Sequence, residues 1–133
     1  MRRGLTLTEI LITIIILAVL AAIAIPSFSN AKAKNDASQA VTYLRAIKLA
    51  EQMYYAKNAT YLACANATAI KTNLGVEITA ATYSFDVTSS AATTFLARAV
   101  KGSAPPADCT AADTLCLDQN GNWTGASVYK PTI

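Results

Sequence analysis

Glu9 is the residue in this chain whose position most needs a chemical reason. It stands near the head of an apolar run from Ile10 to Ile25 that is interrupted only by Thr13 and stopped by Pro26. A carboxylate near a bilayer core costs roughly 2.5–3.5 kcal/mol on insertion scales and is normally functional. It calls for a cation, yet no Lys, Arg or His lies between Leu5 and Asn30. Cleavage after Gly4 would supply one, because Leu5 would then carry a free α-amine in the same apolar zone. Arg2 and Arg3 precede the glycine and, if the segment crosses a membrane, hold its N-terminus on the cytoplasmic side. The chemistry implied is peptide cleavage followed by pairing of a new amine with Glu9.

Other chemistry is thinly represented. With no histidine, no Cys-x-x-Cys and no dense carboxylate cluster, the chain has no pattern for a transition-metal centre. No nucleophile–base pair is readable, so a structural role is expected, with no enzyme activity and no cofactor. Asp108, Asp113 and Asp118 do not have EF-hand spacing. The Asn-x-Thr sequons at Asn58, Asn66 and Asn122 read as coincidences in a chain rich in Ala and Thr. Tyr43, Tyr54, Tyr55 and Tyr61 read as packing between a helix and a sheet. Lys101 and Lys130 are the weak candidates for a binding tip. Net charge is +3. Removing Arg2 and Arg3 from the 11 basic residues leaves nine against eight acidic ones. That near-neutral balance leads to the expectation of no specific nucleic-acid partner.

The elements that position these residues follow from periodicity. Leu5 to Ile25 as a helix spans about 30 Å, the thickness of a hydrocarbon core. Helical patterning continues past Pro26, which removes one backbone hydrogen bond and is expected to kink the helix. Ala37, Ala40, Val41, Leu44, Ile47 and Tyr54 form an apolar stripe, with Lys32, Lys34, Asp36, Arg45, Lys48 and Glu51 on the polar face. One helix over about 5–57 is therefore expected, with a short helix over 65–72 in the connection. Strands are expected over 82–88, 93–100, 115–118 and 122–124, the last two closed by Asn120-Gly121. The fold class is α+β: a long kinked N-terminal helix whose C-terminal half packs on a small antiparallel sheet of three or four strands.

The basic leader, Gly4, Glu9, the apolar helix and Pro26 together resemble the type IV pilin and pseudopilin family. The resemblance is detailed over Met1 to Asn35 and general beyond. It departs at Leu5, where the family usually has Phe, at Thr8 in place of an aliphatic residue, and at Ala18, where many members have Gly. It implies a leader, residues 1–4, cut after Gly4 by a prepilin peptidase that also methylates the Leu5 amine. It implies a membrane and filament-core helix over 5–26, a globular part over 27–133, and Glu9 as an assembly residue. The expected function is a structural subunit of an extracellular type IV pilus, assembled as a helical homo-oligomer. Before assembly the chain would sit in the inner membrane as a single-pass precursor, served by an assembly platform and ATPase. The alternatives are a type II secretion pseudopilin and a minor pilin involved in DNA uptake. A signal peptide cut after Ala22-Ile23-Ala24 would leave Glu9 out of place.

Cys64, Cys109 and Cys116 all follow the apolar segment, on the side where disulfides persist. Cys109 with Cys116 is the favoured pair, since the short loop closes where the backbone turns, and the family often has a disulfide-bounded C-terminal region. Cys64 remains an alternative partner, because spacing does not settle connectivity.

Overall fold

The computed structural model describes residues 4–80, 82–102 and 108–132. Arg2 and Arg3 lie outside the described residues, as do Pro105 and Pro106, which mark a connection between the second and third expected strands. The chain divides into two units, Met1–Asn35 and Asp36–Ile133.

Helix α1 runs over Leu7–Asn58 and contains Pro26. It starts where Thr6 caps the first turn, its Oγ1 and carbonyl both accepting from the Glu9 N–H. Glu9 lies in that first turn, where a carboxylate suits the positive end of the helix dipole. The helix stops at Ala59, whose φ of 55° is left-handed and whose N–H donates to the Tyr55 carbonyl at 2.8 Å. In the first unit every described large apolar side chain is exposed, including Ile12, Ile16, Leu20, Ile23 and Phe28. This part is long and apolar enough to cross a membrane.

In the second unit α1 is one-sided. Ala37, Ala40, Leu44, Ile47 and Glu51 are fully buried at alternating steps of three and four. Helix α2, Ala67–Leu74, is capped by Asn66, whose Oδ1 accepts from the Ala69 N–H at 2.9 Å, and is ended by left-handed Gly75. Four strands follow: β1 Tyr83–Ala91, β2 Thr94–Lys101, β3 Thr114–Asp118 and β4 Trp123–Thr124. They form an antiparallel meander in the order β1-β2-β3-β4. The architecture is α+β, a long N-terminal helix packing on a four-stranded antiparallel sheet.

Register decides what each face carries. Phe85 pairs with Ala99, Val87 with Ala97, and these with Leu115 and Leu117, so large residues sit beside alanines. Those residues meet Ala40, Leu44 and Ile47 of α1 in one core, and Tyr43 packs edge-on to Phe85 at 5.7 Å. The other face holds Asp86, Arg98 and Cys116, which pair across β1, β2 and β3. It too is buried, and the segment around Cys109 reaches it through the bond to Cys116. After β4 the chain passes so close to β3 that a Cβ on Gly125 would lie 2.2 Å from the Thr114 carbonyl oxygen. Its φ of 118° reinforces the need for glycine there.

Glu51 departs from the polar face expected of it. It falls at the next four-residue step after Ile47, so the helical period carries it into the core despite its charge. Its Oε2 accepts from the Leu62 N–H at 3.0 Å, which secures the chain as it leaves the helix. Its Oε1 is buried with no partner among the described residues. Burial pushes the carboxyl above its ordinary range, and the Leu62 hydrogen bond offsets this in part.

Candidate functional site

The first unit presents a simple geometry. Gly4 and Leu5 are exposed and precede the helix, so the peptide bond between them is accessible. Glu9 is also exposed, and Thr13 Oγ1 donates to its carbonyl oxygen at 2.7 Å. Pro26 sits inside α1, where its missing N–H removes a ladder bond.

In the second unit Cys109 and Cys116 are joined, with their Cα atoms 6.2 Å apart, and Cys64 is a buried free thiol. Cys64 also bridges to β1, exchanging backbone hydrogen bonds with Val87 at 2.9 and 2.8 Å. Burial raises its thiol pKa, a hydrogen bond with Asn73 lowers it, and nearby Glu51 raises it again. Behind the disulfide, Arg98 holds Asp86 with two guanidinium hydrogens, Nε at 2.9 Å and Nη2. The ion pair is almost wholly buried and ties β1 to β2 under the cysteine-bounded segment.

A different group of side chains gathers beside the β3–β4 turn. Arg45 and Lys48 are one helical turn apart on α1 and project on the same side. The Arg45 guanidinium carbon lies 5.8 Å from the Trp123 ring centroid, within cation–π range. Lys48 reaches the turn itself, since a Cβ on Gly121 would be 2.7 Å from its Nζ. The turn is held from within. Asp118 Oδ1 accepts from the N–H groups of Asn120 and Asn122 at 2.9 and 2.8 Å, and Oδ2 accepts from Asn122 Nδ2 at 2.8 Å. Partial burial pushes the Asp118 carboxyl up, but the donors from Asn122, Asn120 and Gly121 outweigh it and hold the group below its ordinary range. Asp118 is thus occupied by the turn backbone. Among the described residues, the ion pairs are Lys71 with Glu77 and Arg98 with Asp86, so Arg45 and Lys48 form no ion pair, and their two charges stand beside the single carboxylate of Asp118. Two cations, an indole and exposed amides at a rigid tip can grip an anionic backbone and touch flat polar edges. Sequence reasoning missed this cluster. Its only local signal was the Asn120-Gly121 turn, because α1 and β4 are far apart in the chain.

The remaining candidates are scattered. Lys101 ends β2 and Lys130 lies near the C-terminus, both exposed and outside the Trp123 cluster. The sequon amides of Asn58, Asn66 and Asn122 are engaged with Tyr54 O, Ala69 N and Asp118 Oδ2. Tyr55 stacks on Tyr61 at 4.6 Å, and Tyr61 meets Phe95 at 4.8 Å, which seals the helix against the sheet. Asp108 Oδ1 accepts from the Thr110 hydroxyl and N–H, which lower its pKa.

Comparison with known proteins places both units. Residues 26–118, well over half of the chain, match the family described as type IV minor pilin ComP, DNA uptake sequence receptor. Residues 1–25 match the prokaryotic N-terminal methylation motif. Among curated proteins, the chain is 39% identical over 64 residues to the type IV major pilin protein PilA of Myxococcus xanthus, covering 48% of this chain and 29% of PilA. It is 40% identical over 60 residues to the type II secretion system core protein G of Klebsiella pneumoniae, covering 45% of this chain and 43% of that protein. The chain thus spans less than half the length of these curated relatives. No solved structure matches significantly.

The match over 26–118 corrects the expectation of no specific nucleic-acid partner, because that family is described as a receptor for a DNA sequence. The physical reason lies in where the acids go. Overall charge counted Asp86, Asp118, Glu51 and Glu77 against the cations. Asp86 and Glu77 are paired with Arg98 and Lys71 and Glu51 is buried, while Arg45 and Lys48 gather at a turn that holds one carboxylate, Asp118, a local excess of positive charge that the total conceals.

Proposed function

We infer the function from what the match over residues 26–118 establishes: the chain belongs to the type IV pilin family, in the branch described as type IV minor pilin ComP, DNA uptake sequence receptor. On that footing it is a minor pilin that captures duplex DNA through the second unit. The main expectation from sequence, a pilus-building subunit, stands in its coarser form as a type IV pilin. The finer reading is DNA uptake, which the sequence offered as an alternative. The observation that carries the proposal is the family match, and the unpaired Arg45 and Lys48 beside Trp123 support it in kind.

The first unit supplies the anchor and the route into a filament. In this reading the leader is cut after Gly4, Leu5 is methylated, and the precursor waits in the inner membrane. An apolar helix exposed on all sides is stable only in lipid or among helices of its own kind. Transfer into a helical filament, driven by an assembly platform and ATPase, exchanges one such environment for the other. Glu9 of a seated subunit would attract the Leu5 amine of the one entering.

Fluorescence anisotropy of labelled duplex DNA with the full-length mature protein in detergent micelles tests the receptor reading. Wild type should bind with an affinity that falls steeply with salt. Arg45→Ala and Lys48→Ala should each reduce the slope of log K against log salt by about 0.9 for every phosphate that the variant no longer neutralises. Absence of duplex binding at low salt would refute the reading. Unchanged slopes in both variants would move the binding surface elsewhere.

A further inference from the structure

We propose that the tip of the β3–β4 hairpin enters the major groove of duplex DNA and that the Asn120 carboxamide reads an adenine there, with Arg45 and Lys48 seated on the flanking phosphates. This rests on the receptor reading and adds to it the residue that determines sequence preference.

Most polar groups of the tip are already engaged. Asp118 ties the Asn120 N–H, the Asn122 N–H and the Asn122 side chain, while Gly121 N–H donates back to the Asp118 carbonyl at 3.1 Å. The Asp118 N–H donates across to the Asn122 carbonyl at 3.2 Å. Every hydrogen bond that holds the turn therefore runs through the backbone, Asp118 or Asn122. Asn120 is exposed, and its side chain makes no hydrogen bond among the described residues. Of the two turn carboxamides without a hydrogen bond among the described residues, Gln119 is half-buried and Asn120 is exposed, so Asn120 is the one presented on the apex.

A carboxamide carries a donor and an acceptor side by side. Adenine presents the complementary pair, N7 and the N6 amino group, in the major groove, and Asn binds that pair in a bidentate manner. The groove is about 12 Å wide and admits a two-stranded β-ribbon. Here β3 and β4 pair at Leu117 with Trp123 and at Cys116 with Thr124, and β3 is also held by β2 as far as Asp118, so the turn between them, 119–122, is the part that enters. The cations stand beside it, with the Lys48 ammonium against Gly121 and the Arg45 guanidinium at Trp123. Phosphate contacts of this kind fix register without reading sequence, so the base contact falls to the tip. Because the turn needs no ordering on binding, its amide meets the base edge at little entropic cost.

The test uses full-length mature protein in micelles and a randomised duplex library. Wild type should enrich a motif with at least one required adenine. Asn120→Ala should unfold at the same temperature as wild type, since that side chain holds nothing. It should lose about 5- to 100-fold discrimination at one adenine position and keep the salt dependence of wild type. Replacing that adenine with 7-deazaadenine should weaken wild type by a similar factor and leave Asn120→Ala unaffected. The inference is overturned if Asn120→Ala keeps every base preference of wild type, if 7-deazaadenine has no effect, or if wild type binds duplexes without base preference. A wild type that binds no duplex refutes the receptor reading itself and this inference with it.

Discussion

Replacing Arg98 with methionine while leaving Asp86 in place strands a carboxylate that is only 5% exposed. The two residues are cross-strand neighbours, and the guanidinium meets the carboxylate through both Nε and Nη2. The pair is shielded from solvent on the sheet face that also carries the Cys109–Cys116 bond. Breaking one partner of such a pair costs about 3–5 kcal/mol, chiefly the penalty of an uncompensated buried charge. Replacing both, as Arg98→Met with Asp86→Leu, leaves no buried carboxylate stranded and should be more stable than Arg98→Met alone. A unit of this size loses about 4–8 °C of Tm per kcal/mol, so the single variant should melt more than ~10 °C lower. Thermal unfolding of the full-length chain in micelles, read by the fluorescence of Trp123, the only tryptophan, measures all four proteins of the cycle, the Asp86→Leu single variant included. A coupling energy below about 1 kcal/mol in the double-mutant cycle would refute the reasoning, as would a double variant no more stable than the singles.

Glu51 makes stability depend on pH in the opposite sense to an ordinary paired carboxylate. Its folded pKa is raised by burial, so its contribution is fully present below the unfolded value near 4.5 and is lost as pH rises through the folded pKa. Glu51→Gln, which keeps an acceptor for the Leu62 N–H, should gain on wild type as pH is raised above that value in urea titrations; a constant difference across pH would contradict the burial argument. Cys109→Ser with Cys116→Ser should cost about 2.5 kcal/mol by the loop-entropy estimate for so short a ring, measured as a shift in urea midpoint. Glu9→Ala should still insert in the membrane and be cut after Gly4, yet yield almost no sheared filament, and normal filament yield would remove the charge-pairing account of Glu9.

Much of the architecture was legible because its causes are local. A membrane-length apolar run, a carboxylate inside it and a glycine behind two arginines are all contiguous in the chain. The alternation of Tyr83, Phe85 and Val87 and the Asn120-Gly121 dipeptide are equally short-range, and they located β1 and the last hairpin. Helix α2 begins two residues later than its sequence pattern suggests, since Asn66 serves as its cap rather than lying within it. Glu51 could have been placed correctly by extending the three-and-four rhythm of Ala37, Ala40, Leu44 and Ile47, but its charge pointed the other way. That conflict is settled only by a partner, the Leu62 N–H, which belongs to the segment beyond the helix.

By itself, then, the sequence determined the α+β class and the long apolar N-terminal helix, both of which follow from residue type and period within short windows. Tertiary structure alone decided which charges are neutralised and which remain. Asp86 meets Arg98 only because the β1–β2 register sets them opposite each other. Arg45 and Lys48 meet Trp123 and Gly121 only because α1 packs across the sheet as far as the last hairpin. Composition sums charges without regard to place, whereas the field that a strand of DNA would meet depends on which acids folding has already paired or buried.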